Sequence, residues 1–312
     1  MKTALHSLPA GALGGNRTTA LRWARILRQL GWDVIRSAKR ESERADLILA
    51  LHAVHTRGEV EQLRDKHPGA KLIVACTGTD IHEARADSQE LLDRADRIIV
   101  LQERALDELS SSQRERARVI YQSTPPLEDA PSPPTDHLRV ALIANLRDVK
   151  DPLLPAKAAR LLPKSSRLQI IHLGASIESG LTEEAKRETE ENPRYEWRGH
   201  VSRLEALKLL ACSHAAVLPS KNEGGANLIT EAFAMGTAVI ATEIPGNLGL
   251  LGKDHPGLFP VGDAAALAAL LARAENEDDF LKTLTKRSRE RAWISAPSKE
   301  CESWASLLAE LL

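Results

Sequence analysis

Cysteine is scarce in this sequence. The chain of 312 residues has three cysteines, Cys76, Cys212 and Cys301, which are far apart and form no CxxC pair. An odd number of widely spaced cysteines argues against a disulfide framework and against a cysteine-ligated zinc site. Because reduced thiols are typical of the cytoplasm, we expect a cytoplasmic protein.

Long apolar runs and a charge excess of either sign are also missing. The longest apolar runs, such as 47–53, are far shorter than the ~20 residues that a membrane-spanning helix needs, and the first residues lack the h-region of a signal peptide. The 42 basic and 43 acidic side chains leave a formal net charge of -1, whereas a non-specific nucleic-acid binder needs a basic excess. We therefore expect no membrane span and no nucleic-acid partner, and the oligomeric state stays open.

Short apolar runs alternate with helical patterns in both halves of the chain. This alternation predicts an α/β fold with right-handed crossovers and a parallel sheet in each half. Five prolines in residues 123–136 separate the halves, because proline lacks the N–H that helices and sheets need. We expect one domain over residues 1–130, a second over 137–295, and a final helix over 296–312.

The segment after the predicted strand 215–219 carries two glutamates with seven residues between them, Glu223 and Glu231. Gly224 and Gly225 let a ligand approach the backbone, and the unpaired N–H groups of the helix that follows favour an anion such as a diphosphate. A carboxylate at Glu231 is placed to accept hydrogen bonds from vicinal hydroxyls. A sugar nucleotide offers this combination, although spacing alone favours a solvated helix start.

The residues around this segment resemble the donor site of glycosyltransferase family 4, which has the GT-B fold. Leu-Pro-Ser precedes Glu223, and Ala-x-Ala-x-Gly-Thr-x-Val-Ile-Ala follows Glu231. Further similar stretches follow the family's order at 197–201, at 258–263 and at 245–247, where the family has a glycine loop. The resemblance covers residues 138–275 and implies two Rossmann-like, doubly wound domains that face a central cleft. It also implies that the final helix, 296–312, packs back on the first domain.

Residue roles follow from this resemblance. It implies that Glu223 contacts the donor sugar, that Glu231 contacts the ribose, and that Arg147 and Lys150 bind the donor diphosphate. Positive charge there stabilises the departing nucleotide, so we assign Arg147, Lys150 and Glu223 as catalytic. The donor-binding residues are Gly15, Arg198, Gly224, Gly225, Ala226, Asn227, Leu228 and Glu231.

The sequence contains no Asp-x-Asp motif of the kind that holds a catalytic divalent metal. Asp278 and Asp279 lie in a charged helical stretch and are expected at the surface. We therefore expect no metal and no cofactor, and a leaving group stabilised by cations and a helix terminus.

The N-terminal half resembles a narrower group, the selenosugar synthases of selenoneine biosynthesis. The stretches that carry this resemblance are 15–24, 51–53, 77–80, 100–102 and 119–123. It implies that a UDP-sugar, such as UDP-N-acetylglucosamine, and selenophosphate are the substrates, with UDP and then phosphate released. Selenophosphate is already ionised, so a general base is less necessary than for a hydroxyl acceptor. The candidate acceptor-binding residues are Gly14, Asn16, Arg17, His52, Thr79 and Asp80.

Other functions remain open. Residues 77–80 resemble the family's His-Gly-x-Asp segment, with Thr77 in place of the histidine, which leaves the acceptor side undefined. A hydroxyl-bearing acceptor would need a general base, and Asp80 and His82 are the candidates. A sugar-nucleotide epimerase or hydrolase, or a non-catalytic sugar-nucleotide sensor, would use the same donor residues.

Overall fold

A computed structural model describes residues 2–7, 15–36, 44–78, 80 and 86–311. By its internal contacts the chain divides into two compact units. The first comprises Met1–Gln122, Glu223–Gly225 and Pro297–Leu312, and the second comprises Ser123–Asn222 and Ala226–Ala296. The proline-rich stretch 123–136 contains no helix or strand. None of the helices described is long and apolar enough to cross a membrane.

The first unit contains a six-stranded parallel sheet in the order β2-β1-β3-β4-β5-β6. Its strands are β1 (Lys2–Ser7), β2 (Trp32–Arg36), β3 (Leu47–Leu51), β4 (Lys71–Ala75), β5 (Arg97–Val100) and β6 (Ala117–Val119). Its helices are Gly15–Gln29, Arg57–Lys66, Ala86–Asp93, Ser111–Arg116 and Pro297–Leu311, with a 3₁₀ helix over Glu103–Glu108. The strand order reverses between β1 and β3, which makes the carboxyl ends of these strands the topological switch point.

Both faces of this sheet are covered, which explains the uninterrupted apolar run in β3. Leu47, Leu49 and Leu51 pack in one cluster with the helices Gly15–Gln29 and Pro297–Leu311, while Ile48 and Ala50 pack in the cluster on the opposite face. Side chains of a strand alternate between faces, so a strand buried on both sides is apolar at every position.

A buried carboxylate joins the C-terminal helix to the helix Gly15–Gln29. Glu300 accepts a hydrogen bond of 2.7 Å from Trp23 Nε1 and forms an ion pair of 2.9 Å with Arg22 Nε. The rings of Trp23 and Trp304 meet edge to face, with centroids 5.1 Å apart. The helix Pro297–Leu311 is therefore an integral part of the first unit.

The second unit contains a parallel sheet in the order β12-β11-β10-β7-β8-β9. Its strands are β7 (Arg139–Ile143), β8 (Gln169–Leu173), β9 (Tyr195–Trp197), β10 (Ala215–Leu218), β11 (Ala238–Thr242) and β12 (Leu258–Phe259). Its helices are Leu154–Arg160, Ser179–Glu191, Arg203–Ala211, Asn227–Met235, Pro245–Leu251, Ala264–Asn276 and Asp278–Glu290, with 3₁₀ turns over Asp148–Lys150 and Ala292–Ser295. This is the doubly wound order of dinucleotide-binding domains, and its switch point lies between β7 and β10.

Two local elements differ from the sequence prediction. The edge strand β2 was not predicted, because its five residues include the charged Asp33 and Arg36 and form no apolar run. The predicted glycine loop at 245–247 is instead the first turn of the helix Pro245–Leu251. Proline is favourable at this first position, since the N–H that it lacks has no partner within the helix.

Candidate functional site

Two loops meet at the switch point of the second sheet. The β7 loop (residues 144–153) carries Arg147 and Lys150, and the β10 loop (residues 219–226) leads into the helix Asn227–Met235, hereafter the donor helix. Lys221 joins the two loops: its N–H donates to Val149 O at 2.9 Å, and its Nζ lies 2.7 Å from Asp148 Oδ1. Ligands of open α/β sheets bind at such a point, beyond the carboxyl ends of the strands.

The start of the β7 loop is anchored by a buried histidine. His172 Nε2 donates to the carbonyl oxygen of Ala144 at 2.8 Å, so its Nδ1 accepts the hydroxyl of Tyr195 at 2.6 Å. Burial lowers the pKa of His172 to about 4, which keeps the ring neutral and this arrangement of donor and acceptor intact. The chain that leads to Arg147 and Lys150 therefore begins from a rigid position.

Glycine is required at position 174, directly after β8, because the backbone of Ala144 and Asn145 passes very close to it. A Cβ at this position would lie 2.5 Å from Ala144 C and 2.9 Å from Asn145 N, and closer still to the Ala144 carbonyl oxygen. Asn145 Oδ1 in turn accepts the N–H of Ala175 at 2.9 Å. Arg147 itself is exposed and Lys150 is half-buried.

The donor helix begins without a capping side chain. Its N-cap residue is Ala226, whereas the helices Arg203–Ala211 and Ala264–Asn276 are capped by a serine and an aspartate side chain, respectively. An alanine cap leaves the first N–H groups of the helix, those of Asn227 and Leu228, without a side-chain acceptor, and such groups attract anions. The Oδ1 atom of Asn227 is buried and has no hydrogen-bond partner among the residues described.

Glu231, on the second turn of the donor helix, is held by an arginine that the sequence prediction missed. Arg203 Nη2 lies 3.0 Å from Glu231 Oε1 and 3.1 Å from Thr124 Oγ1. Arg203 is the first residue of its helix, next to the N-cap Ser202. The local capping pattern was visible in the sequence, but the ion pair spans 28 positions and depends on how two helices pack.

Arg198 follows β9 on the other side of the switch point. Its guanidinium forms a two-point hydrogen bond with Glu196, at 2.8 and 2.7 Å. This bond raises the pKa of Arg198 and lowers that of Glu196. The charge of Arg198 is thus largely balanced within the protein, and Gly199 beyond it adopts a positive φ of 74°.

In the first unit, Gly15, predicted to bind the donor, and Asn16, Arg17 and His52, predicted to bind the acceptor, follow β1 and β3 along the chain. Gly15, Asn16 and Arg17 form the first turn of the helix after β1, where Gly15 and Arg17 are exposed and Asn16 is half-buried. His52 follows β3 directly. Gly14 lies outside the residues described.

The backbone of His52 is strained and tightly held. Its φ is +88°, a left-handed value that costs free energy in a non-glycine residue and is found at functional sites. The N–H of His52 donates to Ala75 O at 2.9 Å, and its carbonyl accepts the N–H of Thr56 at 3.3 Å. Nδ1 of the ring accepts the N–H of His55 at 3.3 Å. These bonds hold the buried imidazole in place beside the switch point.

Asp80 serves as an acceptor for three backbone groups. Oδ1 accepts the N–H groups of Thr77 and Gly78 at 3.0 and 2.8 Å, and Oδ2 accepts that of Ala53 at 2.9 Å. The residue is 1% exposed. A carboxylate that binds three N–H groups organises the loops after β3 and β4. Thr79 and His82 lie outside the described part of the chain.

Residues 223–225 of the β10 loop belong by their contacts to the first unit. Glu223 is buried, at 9% exposure. A Cβ at Gly224 would lie 2.5 Å from Thr77 C, and one at Gly225 would lie 3.2 Å from Leu101 Cδ1 and closer to its Cβ. Both glycines are therefore required by packing, whether or not a ligand also approaches them.

The structure thus places the predicted site residues in two groups. Arg147, Lys150, Arg198 and the residues of the donor helix lie at the carboxyl edge of the second sheet. Four other residues predicted for the donor side belong by their contacts to the first unit, as the described acceptor residues do: Gly15, Glu223, Gly224 and Gly225. Among the residues described, no three His, Cys, Asp or Glu side chains are grouped to hold a metal ion. The assigned roles, including metal independence, stay predictions.

Comparison with known proteins gives relatives of one kind. D-inositol 3-phosphate glycosyltransferase of Mycolicibacterium smegmatis is 26% identical over 246 residues, which are 72% of this chain and 53% of that protein. Glycosyltransferase 1 domain-containing protein 1 of Xenopus tropicalis is 30% identical over 124 residues, which are 39% of this chain and 36% of that protein. The chain spans about half or less of the length of these curated relatives.

Solved structures resemble the whole chain. Sucrose-phosphate synthase of Thermosynechococcus elongatus superposes with a TM-score of 0.81 at 17% identity, over 100% of this chain and 99% of that one. Anabaena HepE, solved in complex with UDP-glucose, superposes with a TM-score of 0.77 at 16% identity, over 100% and 99% of the two chains. At these identities the likeness shows the fold alone. It confirms the predicted α/β class, with two Rossmann-like domains of the GT-B type.

The sequence match to a family agrees with this fold. Residues 126–291, more than half of the chain, match the family described as Glycosyl transferases group 1. The match spans the β7 loop, Arg198, Arg203 and the whole donor helix. The protein belongs to the glycosyl transferases group 1 family.

Proposed function

We propose that the protein transfers a sugar from a UDP-sugar to a small, already ionised nucleophile, selenophosphate. The donor half of this proposal is supported by family membership and by HepE, which was solved with UDP and with UDP-glucose. The acceptor half is supported by the resemblance of the N-terminal half to selenosugar synthases and by the backbone hydrogen bonds that occupy the carboxylate of Asp80.

At the donor site, each element has a physical task. The uncapped start of the donor helix, with the N–H groups of Asn227 and Leu228, binds the diphosphate, and the helix dipole favours its negative charge. Arg147 and Lys150 stabilise the charge that gathers on UDP as it leaves. Glu231 accepts hydrogen bonds from the ribose hydroxyls, and Glu223 contacts the sugar.

The observation that carries the acceptor proposal is the occupied carboxylate of Asp80. A general base must be within reach of the proton that it removes. The oxygens of Asp80 instead receive the N–H groups of Thr77, Gly78 and Ala53, and the side chain is inaccessible to solvent. Of the two predicted bases, Asp80 and His82, only Asp80 lies in the described part of the chain, and its oxygens are used in hydrogen bonds to the backbone. This favours a nucleophile that needs no base.

Selenophosphate satisfies this condition. Its selenium carries negative charge at neutral pH, so it attacks the anomeric carbon without losing a proton. The C–Se bond forms as the bond from the anomeric carbon to the UDP oxygen breaks, and the electron pair of that bond leaves on UDP. Water then cleaves the Se–P bond, which gives the selenosugar and phosphate. Asn16, Arg17, Thr79 and His52 are the proposed residues that receive the anion.

The test is to incubate the protein with UDP-N-acetylglucosamine and selenophosphate and to follow UDP and selenosugar by mass spectrometry. We expect UDP and a selenium-bearing sugar to form in equal amounts, and neither to form with Glu231→Ala. Selenophosphate-independent UDP release in the presence of a hydroxyl acceptor would refute the acceptor proposal alone. UDP release with no acceptor would indicate a hydrolase, and donor binding without turnover would indicate a sensor.

A further inference from the structure

A second pocket lies in the second unit, at the edge of the sheet away from the donor site. It has a volume of ≈ 320 Å³ and is lined by residues 251–255, by Arg287 and Glu290 of the helix Asp278–Glu290, and by Arg291 and Trp293 beyond that helix. Residues 252–257 connect the helix Pro245–Leu251 to the amino end of β12. Since all strands of the sheet are parallel, this is the edge opposite the carboxyl ends at which the β7 and β10 loops lie.

The lining of this pocket is cationic. Lys253, Arg287 and Arg291 face it together with two carboxylates, Asp254 and Glu290. Glu290 lies 3.7 Å from Arg287, a separation that exceeds a charge-assisted hydrogen bond and leaves the guanidinium able to bind another acceptor. Three cations against two anions leave an excess of positive charge in a small concave site.

One side chain of the pocket is a buried donor without an acceptor. His255 is 5% exposed, and its Nδ1 accepts the N–H of Gly257 at 3.2 Å. Burial and the nearby Arg287 and Arg291 lower the pKa of His255 to about 4, so the ring is neutral at pH 7. A neutral ring whose Nδ1 accepts carries its one proton on Nε2, which is therefore a donor.

That donor has no partner in the described part of the chain, and the same holds for Nε of Arg291. Buried polar groups nearly always have hydrogen-bond partners, and an exception calls for an explanation. Two orphaned donors beside a cationic pocket are explained if an anion occupies it. Arginine and imidazole N–H groups are matched to the oxygens of a phosphate group.

We propose that the pocket formed by Lys253, His255, Arg287 and Arg291 is a second ligand site, which binds the phosphate group of a small molecule. His255 Nε2 and Arg291 Nε donate to phosphate oxygens after a small shift of the two side chains, and Arg287 and Lys253 supply charge. The volume accommodates inorganic phosphate or a small phosphate ester. The site is separate from the proposed transfer reaction and does not depend on it.

The test follows the imidazole resonances of His255 in the full-length protein by long-range ¹H–¹⁵N NMR at pH 7. Inorganic phosphate and glycerol phosphate are titrated in turn, with chloride at matched ionic strength as the reference. We expect a saturable shift with at least one of the phosphates and none with chloride. If inorganic phosphate binds more tightly than glycerol phosphate, the ligand is the free ion; if glycerol phosphate binds more tightly, the ligand is a phosphate ester.

Variants separate this site from the donor site. Arg291→Gln and, independently, Arg287→Gln should weaken phosphate binding at least tenfold, as judged from the His255 resonance. Lys282→Gln, on an exposed part of the same helix, should leave it unchanged. Saturating UDP should not displace the phosphate. Three results would each overturn the proposal: an equal shift of the His255 resonance with chloride, no saturable shift in the folded wild type, or displacement of the phosphate by UDP. None of them depends on whether the protein transfers a sugar.

Discussion

Replacing Arg203 with glutamine should weaken UDP binding although Arg203 has no assigned contact with the ligand. Arg203 Nη2 lies 3.0 Å from Glu231 Oε1, the carboxylate proposed to bind the ribose. Glutamine keeps much of the length of the side chain but removes its charge. The carboxylate of Glu231 then loses a partner that holds it in one orientation, and its hydrogen bonds to the ribose hydroxyls become less favourable.

The size of the effect follows from burial. The Glu231 side chain is 12% exposed, but that of Arg203 is 41% exposed, so solvent screens the pair. Exposed ion pairs contribute about 0.2–1 kcal/mol, whereas hydrogen bonds to charged groups contribute about 1.5–3 kcal/mol when less accessible. A loss of about 1 kcal/mol in the binding free energy of UDP corresponds to a roughly fivefold increase in Kd.

Arg203 could matter because it positions Glu231, or only because its removal lowers the positive charge or disturbs the folding of the donor site. Calorimetric titration with UDP and with 2′,3′-dideoxy-UDP distinguishes these cases. Arg203→Gln should raise the Kd of UDP about fivefold and leave that of the dideoxy compound unchanged, because the latter has no hydroxyls for Glu231 to bind. Lys208→Gln, an exposed change on the same helix, is the matched control and should have no effect. An equal loss for both nucleotides, or no loss for either, would refute the reasoning.

Three further predictions concern His52, Gly174 and His172. Asparagine tolerates a positive φ, so His52→Asn should change the free energy of unfolding by less than about 1 kcal/mol. The same variant should lower selenophosphate-dependent UDP release at least tenfold and leave the affinity for UDP unchanged. A parallel loss of UDP affinity would contradict this. Gly174→Ala should lower the unfolding free energy in urea by about 3 kcal/mol because of its clash with Ala144, whereas Gly180→Ala, which meets nothing within 4 Å, should not lower it. His172 binds a proton less readily in the folded state than in the unfolded state, because its pKa is lowered to about 4. Its contribution to the free energy of unfolding is therefore present above about pH 6.5 and is lost as the pH falls towards 4. The loss is at most about 1.4 kcal/mol per pH unit. Urea unfolding between pH 7 and pH 4 should show a shallower loss in His172→Gln than in the wild type, and identical slopes would count against it.

The sequence determined the fold class and indicated the family because both are encoded in local patterns. Alternation of apolar runs and helical patterns predicted parallel α/β units, and the structure and the comparisons confirm this. The glycines and glutamates of residues 223–231 alone did not indicate a function, but the ordered stretches around them over 138–275 resembled a glycosyltransferase family, and the match to glycosyl transferases group 1 confirms this at the level of the family. The selenium substrate and the residue roles stay predictions, since no local pattern defines an acceptor.

Only the tertiary structure decided which groups are occupied and which residues support the site. Asp80 was a candidate base in the sequence, and its three backbone partners come from loops after two different strands. Arg203 and Glu231 meet because two helices pack side by side, and His172 anchors the β7 loop from a neighbouring strand. Such contacts join distant positions, and their hydrogen bonds depend on geometry finer than any spacing rule describes. The sequence therefore specified which residue types are present, and packing decided which of them are available for chemistry.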